Sequence, residues 1–128
     1  MKNIKFLFLL LFTVTAITVS CQNAESKDDF NITASDLKES MKNDPNLVIL
    51  DVRTPQELVG EHGQIKGVIN IPVQELSARV GELDKYKDKN IAVICRSGNR
   101  SVFATKIMQA KGFNAKNVLG GMKAYNKL

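Results

Sequence analysis

The sequence predicts one α/β domain, built on a mainly parallel sheet with helices on both faces. Short apolar runs alternate with segments of helical periodicity, an order typical of parallel sheets. The run Leu47–Leu50 is apolar throughout, as expected for a strand buried on both faces. The chain has 128 residues, a length that suits a single domain.

Local signals place five strands and the helices between them. The predicted strands are residues 30–32, 47–50, 68–71, 91–94 and 117–119. Thr33 is a candidate N-cap for the first helix, with Asp36 three residues later. That helix should end at Asn43-Asp44-Pro45. Thr54 is a second candidate cap, because Pro55 after it suits the first turn of a helix.

The second half of the chain carries three further helix signals. Apolar residues recur with a helical period from Val73 to Leu83 and again from Val102 to Lys111, where Gly112 stops the helix. Gly120-Gly121 should open a short C-terminal helix. The lysine-rich segment 85–89 is predicted to be a turn.

The first 20 residues are predicted to be a bacterial export signal of the lipoprotein type. Lys2 and Lys5 precede an uncharged, mostly apolar stretch, and Ser20 stands directly before Cys21. We therefore expect lipidation of Cys21, with residues 21–29 as a tether and 30–128 as the domain. The alternative is an uncleaved anchor over residues 6–24. Either version predicts an exported domain tethered to a membrane, periplasmic or on the cell surface.

Charge and residue counts exclude several classes of function. Removing Lys2 and Lys5 with the signal lowers the formal net charge from +5 to +3. The remaining lysines are scattered and form no basic stripe with interleaved aromatics, so no nucleic-acid partner is predicted. One histidine and one free cysteine cannot build a structural zinc site. We predict no metal and no cofactor.

Cys95 is the candidate nucleophile. The strand 91–94 delivers it onto a polar turn that contains Gly98 and opens a helix. Backbone N–H groups at a helix start favour a thiolate, and Arg96 and Arg100 add positive potential. A free cysteine at a strand end can instead be an inert core residue. The two arginines and the glycine favour the reactive interpretation.

Four motifs resemble those of the rhodanese-like sulfurtransferase family, and they occur in the family's order. The loop CRSGNRS at 95–101 resembles the family's active-site loop. The segments VILDVRTPQE at 48–57, GQIKGVINIP at 63–72 and GGMKAY at 120–125 resemble three further family motifs. Together they cover about residues 30–128, and the combination is specific although each motif alone is weak.

Two positions depart from the family pattern. Gln64 stands where the family usually has histidine, and Met122 replaces the usual aromatic residue after the glycine pair. The single histidine, His62, lies two residues before Gln64 and is predicted to be a surface residue. Neither departure touches the nucleophile loop; they bear on local packing and on surfaces for partners.

The resemblance implies a fold and a chemistry. It implies the family's five-strand order, with the strands of Asp51 and Cys95 side by side. Cys95 would take a sulfane sulfur from a small anionic donor such as thiosulfate, polysulfide or a persulfide. The residues expected to bind the donor or the transferred sulfur are Arg96, Ser97, Gly98, Asn99, Arg100 and Ser101. Asp51 and Arg53 are expected to support the loops structurally, with Arg53 paired to a carboxylate.

Two other functions stay open at this point. Related cysteine phosphatases and arsenate reductases place five residues between nucleophile and arginine, whereas four lie between Cys95 and Arg100. The smaller ring favours a single sulfur over an oxyanion. The third candidate is a tethered domain that carries a persulfide or binds a partner without turnover. If Cys21 is acylated, Cys95 has no thiol partner in the chain, so an external thiol, a protein or cyanide must accept the sulfur.

Overall fold

The computed structural model describes residues 28–128, which form one five-stranded sheet flanked by helices. The strands are β1 (Asn31–Ile32), β2 (Leu47–Asp51), β3 (Ile69–Asn70), β4 (Asn90–Ile94) and β5 (Asn114–Val118). The helices are α1 (Ala34–Asn43), α2 (Pro55–Leu58), α3 (Val73–Arg79), α4 (Asn99–Ala110) and α5 (Gly121–Tyr125), with a 3₁₀ helix at Val80–Tyr86.

The sheet order is β1-β5-β4-β2-β3, and all neighbouring strands are parallel. Alternate side chains of the central strands point to opposite faces of the sheet and pack into two separate hydrophobic cores. Leu50 and Val93 pack with α3 and α4 on one face, whereas Ile49 and Ile94 pack with α1 and α5 on the other. This confirms the predicted α/β fold with helices on both faces.

Helix α1 starts where the sequence predicts. The Thr33 hydroxyl accepts the Asp36 N–H at 3.0 Å, and the Asp36 carboxylate accepts the Thr33 N–H at 3.0 Å. This reciprocal capping box satisfies two N–H groups that would otherwise lack partners at the helix start. The Asp44 N–H closes the last turn on the Ser40 carbonyl.

Helix α4 begins earlier than predicted, at Asn99 instead of Val102, so its first turn is part of the nucleophile loop. Gly98 makes this possible because it caps the helix at φ 100°, a left-handed conformation that favours glycine. The apolar periodicity marks only the part of the helix that faces the core, and it therefore missed the polar first turn.

Two other boundaries differ from the prediction. The helix predicted over 73–83 is α-helical only to Arg79 and tightens into the 3₁₀ helix, which contains Gly81. Glycine is a poor α-helix former, and 3₁₀ turns are common at helix ends. Strand β5 begins at Asn114 instead of Asn117, because residues 114–117 pair with β4 although three of the four are polar.

The predicted export signal, the lipidation site Cys21 and most of the tether lie outside the described residues. Between residues 28 and 128, no helix is long and apolar enough to cross a bilayer.

Candidate active site

The candidate site lies at the carboxyl ends of β2 and β4, which are neighbours in the sheet. Asp51, the last residue of β2, is in register with Ile94, the last residue of β4. Cys95 follows immediately, and the Val52 N–H ties the two strand ends together by donating to the Ile94 carbonyl at 3.0 Å. Open parallel sheets bind ligands at this edge.

The loop 95–101 wraps closely around the Cys95 sulfur. Cys95 is 1% exposed, and its Sγ accepts the Gly98 N–H at 3.1 Å. The Ser101 Oγ lies 3.3 Å from the same sulfur. Gly98 and Ser101 are buried, whereas Arg96, Ser97 and Asn99 are exposed at the rim. Of the six predicted loop residues, the structure thus buries two, exposes three at the rim and leaves Arg100 partly buried.

Hydrogen bonds favour the thiolate form of Cys95. Burial raises the pKa of the thiol, but the hydrogen bond between the Ser101 hydroxyl and the sulfur, together with those from the N–H groups of Ser101, Gly98 and Ser97, outweighs it. The net result is a pKa below the usual value for cysteine. The helix start therefore acts on the sulfur through directed N–H groups, and the arginines act less directly than the sequence suggested.

The start of α5 supports the nucleophile loop from behind. The Met122 N–H donates to the Cys95 carbonyl at 2.8 Å, and the Lys123 N–H donates to the Arg96 carbonyl at 3.0 Å. Gly121 permits this approach, since a Cβ there would overlap the Cys95 carbonyl oxygen and lie 2.7 Å from the Arg96 carbonyl carbon. Gly121 is therefore required to hold α5 against the loop.

Arg100 holds the loop to α2 and does not point into the ring around the sulfur. Its Nη1 and Nη2 donate to the two carboxylate oxygens of Glu57 at 2.8 and 2.7 Å. Glu57 also accepts the Thr54 N–H at 3.0 Å. The Arg100 hydrogen bond is the main cause that lowers the pKa of Glu57 to about 2. Sequence reasoning missed this partnership, although both residues lie in recognised motifs.

Asp51 and Arg53 form a buried ion pair beside the loop. The Arg53 Nη2 lies 2.7 Å from an Asp51 carboxylate oxygen, with the side chains 1% and 0% exposed. Arg53 also donates to the Gly63 carbonyl at 2.8 Å, and Asn70 donates to the Asp51 and Arg53 carbonyls. The carboxylate partner predicted for Arg53 is thus Asp51, and neither side chain contacts the Cys95 sulfur.

A buried polar chain behind the nucleophile was not predicted. The Ser101 hydroxyl donates to the Asn117 Oδ1 at 2.6 Å, and the Asn117 Nδ2 donates to the Asn31 Oδ1 at 2.9 Å. Asn117 is 1% exposed and lies on β5, between β1 and β4. The sequence did offer one signal for this contact. Asn117 is a polar residue on a strand that lies between two other strands, where a polar side chain needs a hydrogen-bond partner.

His62 takes no part in the site and lies 4.0 Å from the exposed carboxylate of Glu61. Within residues 28–128, no group of three or more histidine, cysteine or acidic side chains is arranged to hold a metal. Cys95 is the free cysteine of the described region.

Comparison with known proteins places the chain among sulfur-handling proteins. It is 36% identical over 94 residues to YtwF, a candidate sulfurtransferase of Bacillus subtilis (strain 168), covering 73% of this chain and 87% of YtwF. It is 37% identical over 105 residues to YrkF, a candidate sulfur carrier protein of the same organism; the match covers 81% of this chain but only about half (54%) of YrkF. The thiosulfate sulfurtransferase PspE of Escherichia coli (strain K12) is 32% identical over 58% of this chain and 69% of its own length.

Structural comparison agrees with the sequence matches. The crystal structure of a rhodanese-related protein from Thermoplasma volcanium superposes with a TM-score of 0.68 at 39% identity, covering 77% of this chain and 91% of that protein. The family model of the rhodanese-like domain matches residues 33–128. The chain therefore belongs to the rhodanese-like domain family, as its four motifs predicted.

Proposed function

We propose that this protein is a sulfurtransferase that carries a sulfane sulfur as a persulfide on Cys95. The observation that carries the proposal is the Cys95 sulfur itself, held at the start of α4 with the Gly98 N–H 3.1 Å away. The sulfurtransferase relatives support the same reaction class. We infer the roles of the loop residues from this geometry.

In the first half-reaction, the Cys95 thiolate attacks the outer sulfur of the donor. With thiosulfate as donor, the sulfur–sulfur bond breaks and sulfite leaves with the bonding electrons. The product is Cys95–S–S⁻. The terminal sulfur then carries the negative charge, and the N–H groups of the loop lie where they can stabilise it.

The surroundings of the loop suit an anionic donor such as thiosulfate, polysulfide or a persulfide. From residue 95 to the C-terminus the sequence contains no aspartate or glutamate. Arg96 is exposed at the rim, and Lys123 adjoins it through the backbone contact with α5. Because Arg100 is neutralised by Glu57, Arg96 is the arginine of the loop available to attract the donor.

In the second half-reaction, an acceptor takes the terminal sulfur. An external thiolate, on a small molecule or a protein, attacks it and Cys95 leaves as the thiolate; cyanide would leave as thiocyanate. The sequence holds only one cysteine besides Cys95, at the predicted lipidation site. If Cys21 is acylated, the acceptor therefore comes from outside the chain.

The arrangement of Arg100 argues against the phosphatase alternative. A cysteine phosphatase needs its loop arginine to bind the oxyanion inside the ring. Here both terminal nitrogens of Arg100 donate to Glu57 on a different helix. The ring is left with N–H groups directed at one sulfur, which fits sulfur transfer better than phosphate binding.

The proposal is tested by Cys95→Ser in a thiosulfate:cyanide assay. We expect the variant to lose sulfur transfer while its circular dichroism spectrum is unchanged, because a hydroxyl replaces the thiol with little change of volume. Activity near that of the parent protein would contradict the assignment. Multiple turnovers in the parent protein would exclude a domain that only carries persulfide.

We also propose that the protein is exported and tethered to a membrane through a lipid on Cys21. The support is in the sequence: Lys2 and Lys5, the apolar stretch after them, and Ser20 directly before Cys21. Metabolic labelling with a fatty acid should tag the parent protein, and Cys21→Ala should leave an untagged, full-length precursor. Equal labelling of both proteins would overturn this proposal.

A further inference from the structure

The Ser101 hydroxyl has one proton and two neighbours that can accept it. Its oxygen lies 2.6 Å from the Asn117 Oδ1 and 3.3 Å from the Cys95 Sγ. Ser101 and Asn117 are no more than 1% exposed, so water does not stand in for either partner. An amide oxygen only accepts hydrogen bonds. In this arrangement the Ser101 hydroxyl donates its proton to Asn117. Its oxygen can then only accept a hydrogen bond from the Cys95 thiol.

This direction is set at the surface, by Asp28. The Asp28 Oδ1 accepts the N–H groups of Phe30 and Asn31 at 2.9 and 3.2 Å, and its Oδ2 accepts the Asn31 Nδ2 at 2.8 Å. A carboxylate offers no donor, so Asn31 must turn its amide nitrogen outward and its oxygen inward. Asn117 must then present its nitrogen to Asn31 and its oxygen to Ser101.

We propose that Asn117 is a positioning residue that holds the Ser101 hydroxyl away from the Cys95 sulfur, and that Asp28 fixes this direction through Asn31. This series of hydrogen bonds runs from Asp28 at the surface, through Asn31 on β1 and Asn117 on β5, to Ser101 in the first turn of α4. Its hydrogen bonds all point away from the nucleophile. The sulfur therefore competes with Asn117 for the one hydroxyl proton.

The charge on the Cys95 Sγ decides whether the Ser101 hydroxyl donates to the sulfur or to Asn117, and this charge changes during the reaction. When Cys95 is a thiol, the hydroxyl stays on Asn117. When Sγ becomes a thiolate, the charged sulfur is the stronger acceptor and the hydroxyl turns to it. In the persulfide the charge moves to the terminal sulfur, and the hydroxyl returns to Asn117. Asn117 thus makes the Ser101 hydrogen bond selective for the attacking and the leaving sulfur.

Asp28→Asn is the decisive variant, because it exchanges one oxygen for a nitrogen at an exposed position. The amide oxygen can replace Oδ1 at the two backbone N–H groups, which places an NH₂ against Asn31. Asn31 and Asn117 then both reverse, and Asn117 donates to the Ser101 oxygen. The hydroxyl proton is released to the Cys95 sulfur, so the thiol should ionise more readily.

The measurement is the pH midpoint of thiolate formation, followed by the rate of iodoacetamide alkylation of Cys95. We expect Asp28→Asn to increase the acid dissociation constant about two- to tenfold, the range of one hydrogen bond. The inference rests on the proposed nucleophile. Alkylation reports the thiol directly, however, so its outcome is independent of whether sulfur transfer is found.

Asp29→Asn is the matched control for charge. Asp29 is fully exposed and next in sequence, and among residues 28–128 its one ion pair is with Lys116, at 4.0 Å. Both variants leave unchanged the charged side chains on the elements around Cys95, including Arg96, Arg100, Glu57, Asp51, Arg53 and Lys123. A general electrostatic effect would shift the pH midpoint of thiolate formation equally in both variants. Reversal of the hydrogen-bond directions would shift it only in Asp28→Asn.

Two further variants identify the route. In a Ser101→Ala background, Asp28→Asn should no longer shift the midpoint. Asn117→Leu should shift it in the same direction as Asp28→Asn, and the two together should add nothing; should Asn117→Leu fail to fold, the Asp28 variants decide alone. An equal shift in Asp29→Asn, a shift that persists in Ser101→Ala, or no shift in Asp28→Asn would overturn the proposal.

Discussion

Two arginine–carboxylate pairs flank the nucleophile loop, with the same chemistry in different surroundings. Arg53 and Asp51 meet at 2.7 Å and are 1% and 0% exposed. Arg100 and Glu57 also meet at 2.7 Å, but their side chains are 32% and 30% exposed. The first pair lies at the end of a central strand, and the second joins the loop to a short helix on the surface.

The difference in burial assigns the two pairs different tasks. A buried charge that loses its partner stays in a poorly solvated site, so breaking the inner pair destabilises the whole fold. A half-exposed charge that loses its partner is solvated by water, so breaking the outer pair costs little stability. The inner pair therefore maintains the strand ends, and the outer pair maintains the position of the loop.

The largest effect is expected from Arg53→Met, which leaves the Asp51 carboxylate buried without its cation. We expect the free energy of unfolding to fall by about 3–5 kcal/mol, measured by urea denaturation. Arg79→Met is the matched control, since Arg79 pairs with Glu75 and Glu82 at the surface and is 38% exposed. The control should lose less than about 1 kcal/mol. Similar losses in both variants would contradict the comparison.

The next effect is expected from Arg100→Ala, which releases the loop from Glu57. We expect kcat for thiosulfate:cyanide transfer to fall roughly 10- to 100-fold, because small displacements of a catalytic group are costly. The free energy of unfolding should change by no more than about 1 kcal/mol. A loss of stability as large as that of Arg53→Met would show that the outer pair also holds the fold.

Arg96→Ala removes the same charge from the same loop and serves as the control. Arg96 is exposed at the rim and forms no ion pair with the carboxylates of residues 28–128. We therefore expect KM for thiosulfate to rise about tenfold, as for loss of one charge-assisted hydrogen bond. Its kcat should be nearly unchanged. If both arginine variants raise KM equally and leave kcat alone, the assignment of Arg100 to loop position is wrong.

The smallest effect is a dependence on pH. The pKa of Glu57 is lowered to about 2 in the folded protein, chiefly by the hydrogen bond from Arg100, against a usual value of 4.5. The contribution of Glu57 to stability is therefore complete above about pH 5 and is lost as the pH falls through 4.5 toward 2. The difference in unfolding midpoint between the parent protein and Glu57→Gln should shrink over that window. A difference in unfolding midpoint that stays constant down to pH 2 would contradict the lowered pKa of Glu57.

The sequence predicts the framework better than the contacts within it. Apolar runs such as Leu47–Leu50 and caps such as Thr33 are local signals, and they placed the strands and the first helix well. The start of α4 was missed because Asn99, Arg100 and Ser101 are polar and therefore add nothing to an apolar helical period. Helical periodicity detects burial, so it does not detect a turn built to hold a ligand.

The partners of the site residues were hidden because they are distant in sequence. Glu57 and Arg100 are 43 positions apart, and Ser101 and Asn117 are 16 apart. No local pattern pairs them; the parallel sheet order brings them together. Position 121 is a further example of a requirement that no local pattern reveals. It must be glycine because a Cβ there would meet the carbonyl groups of Cys95 and Arg96, in the loop that follows β4.

The central claim is that Cys95 carries the transferred sulfur, and mass spectrometry of the intact protein after incubation with thiosulfate tests it most directly. We predict a gain of the mass of one sulfur, located on Cys95 by peptide mapping and removed when cyanide or a thiol is added. Cys95→Ser should gain nothing. A parent protein that gains no sulfur, or a Cys95→Ser variant that gains it equally, would contradict the account.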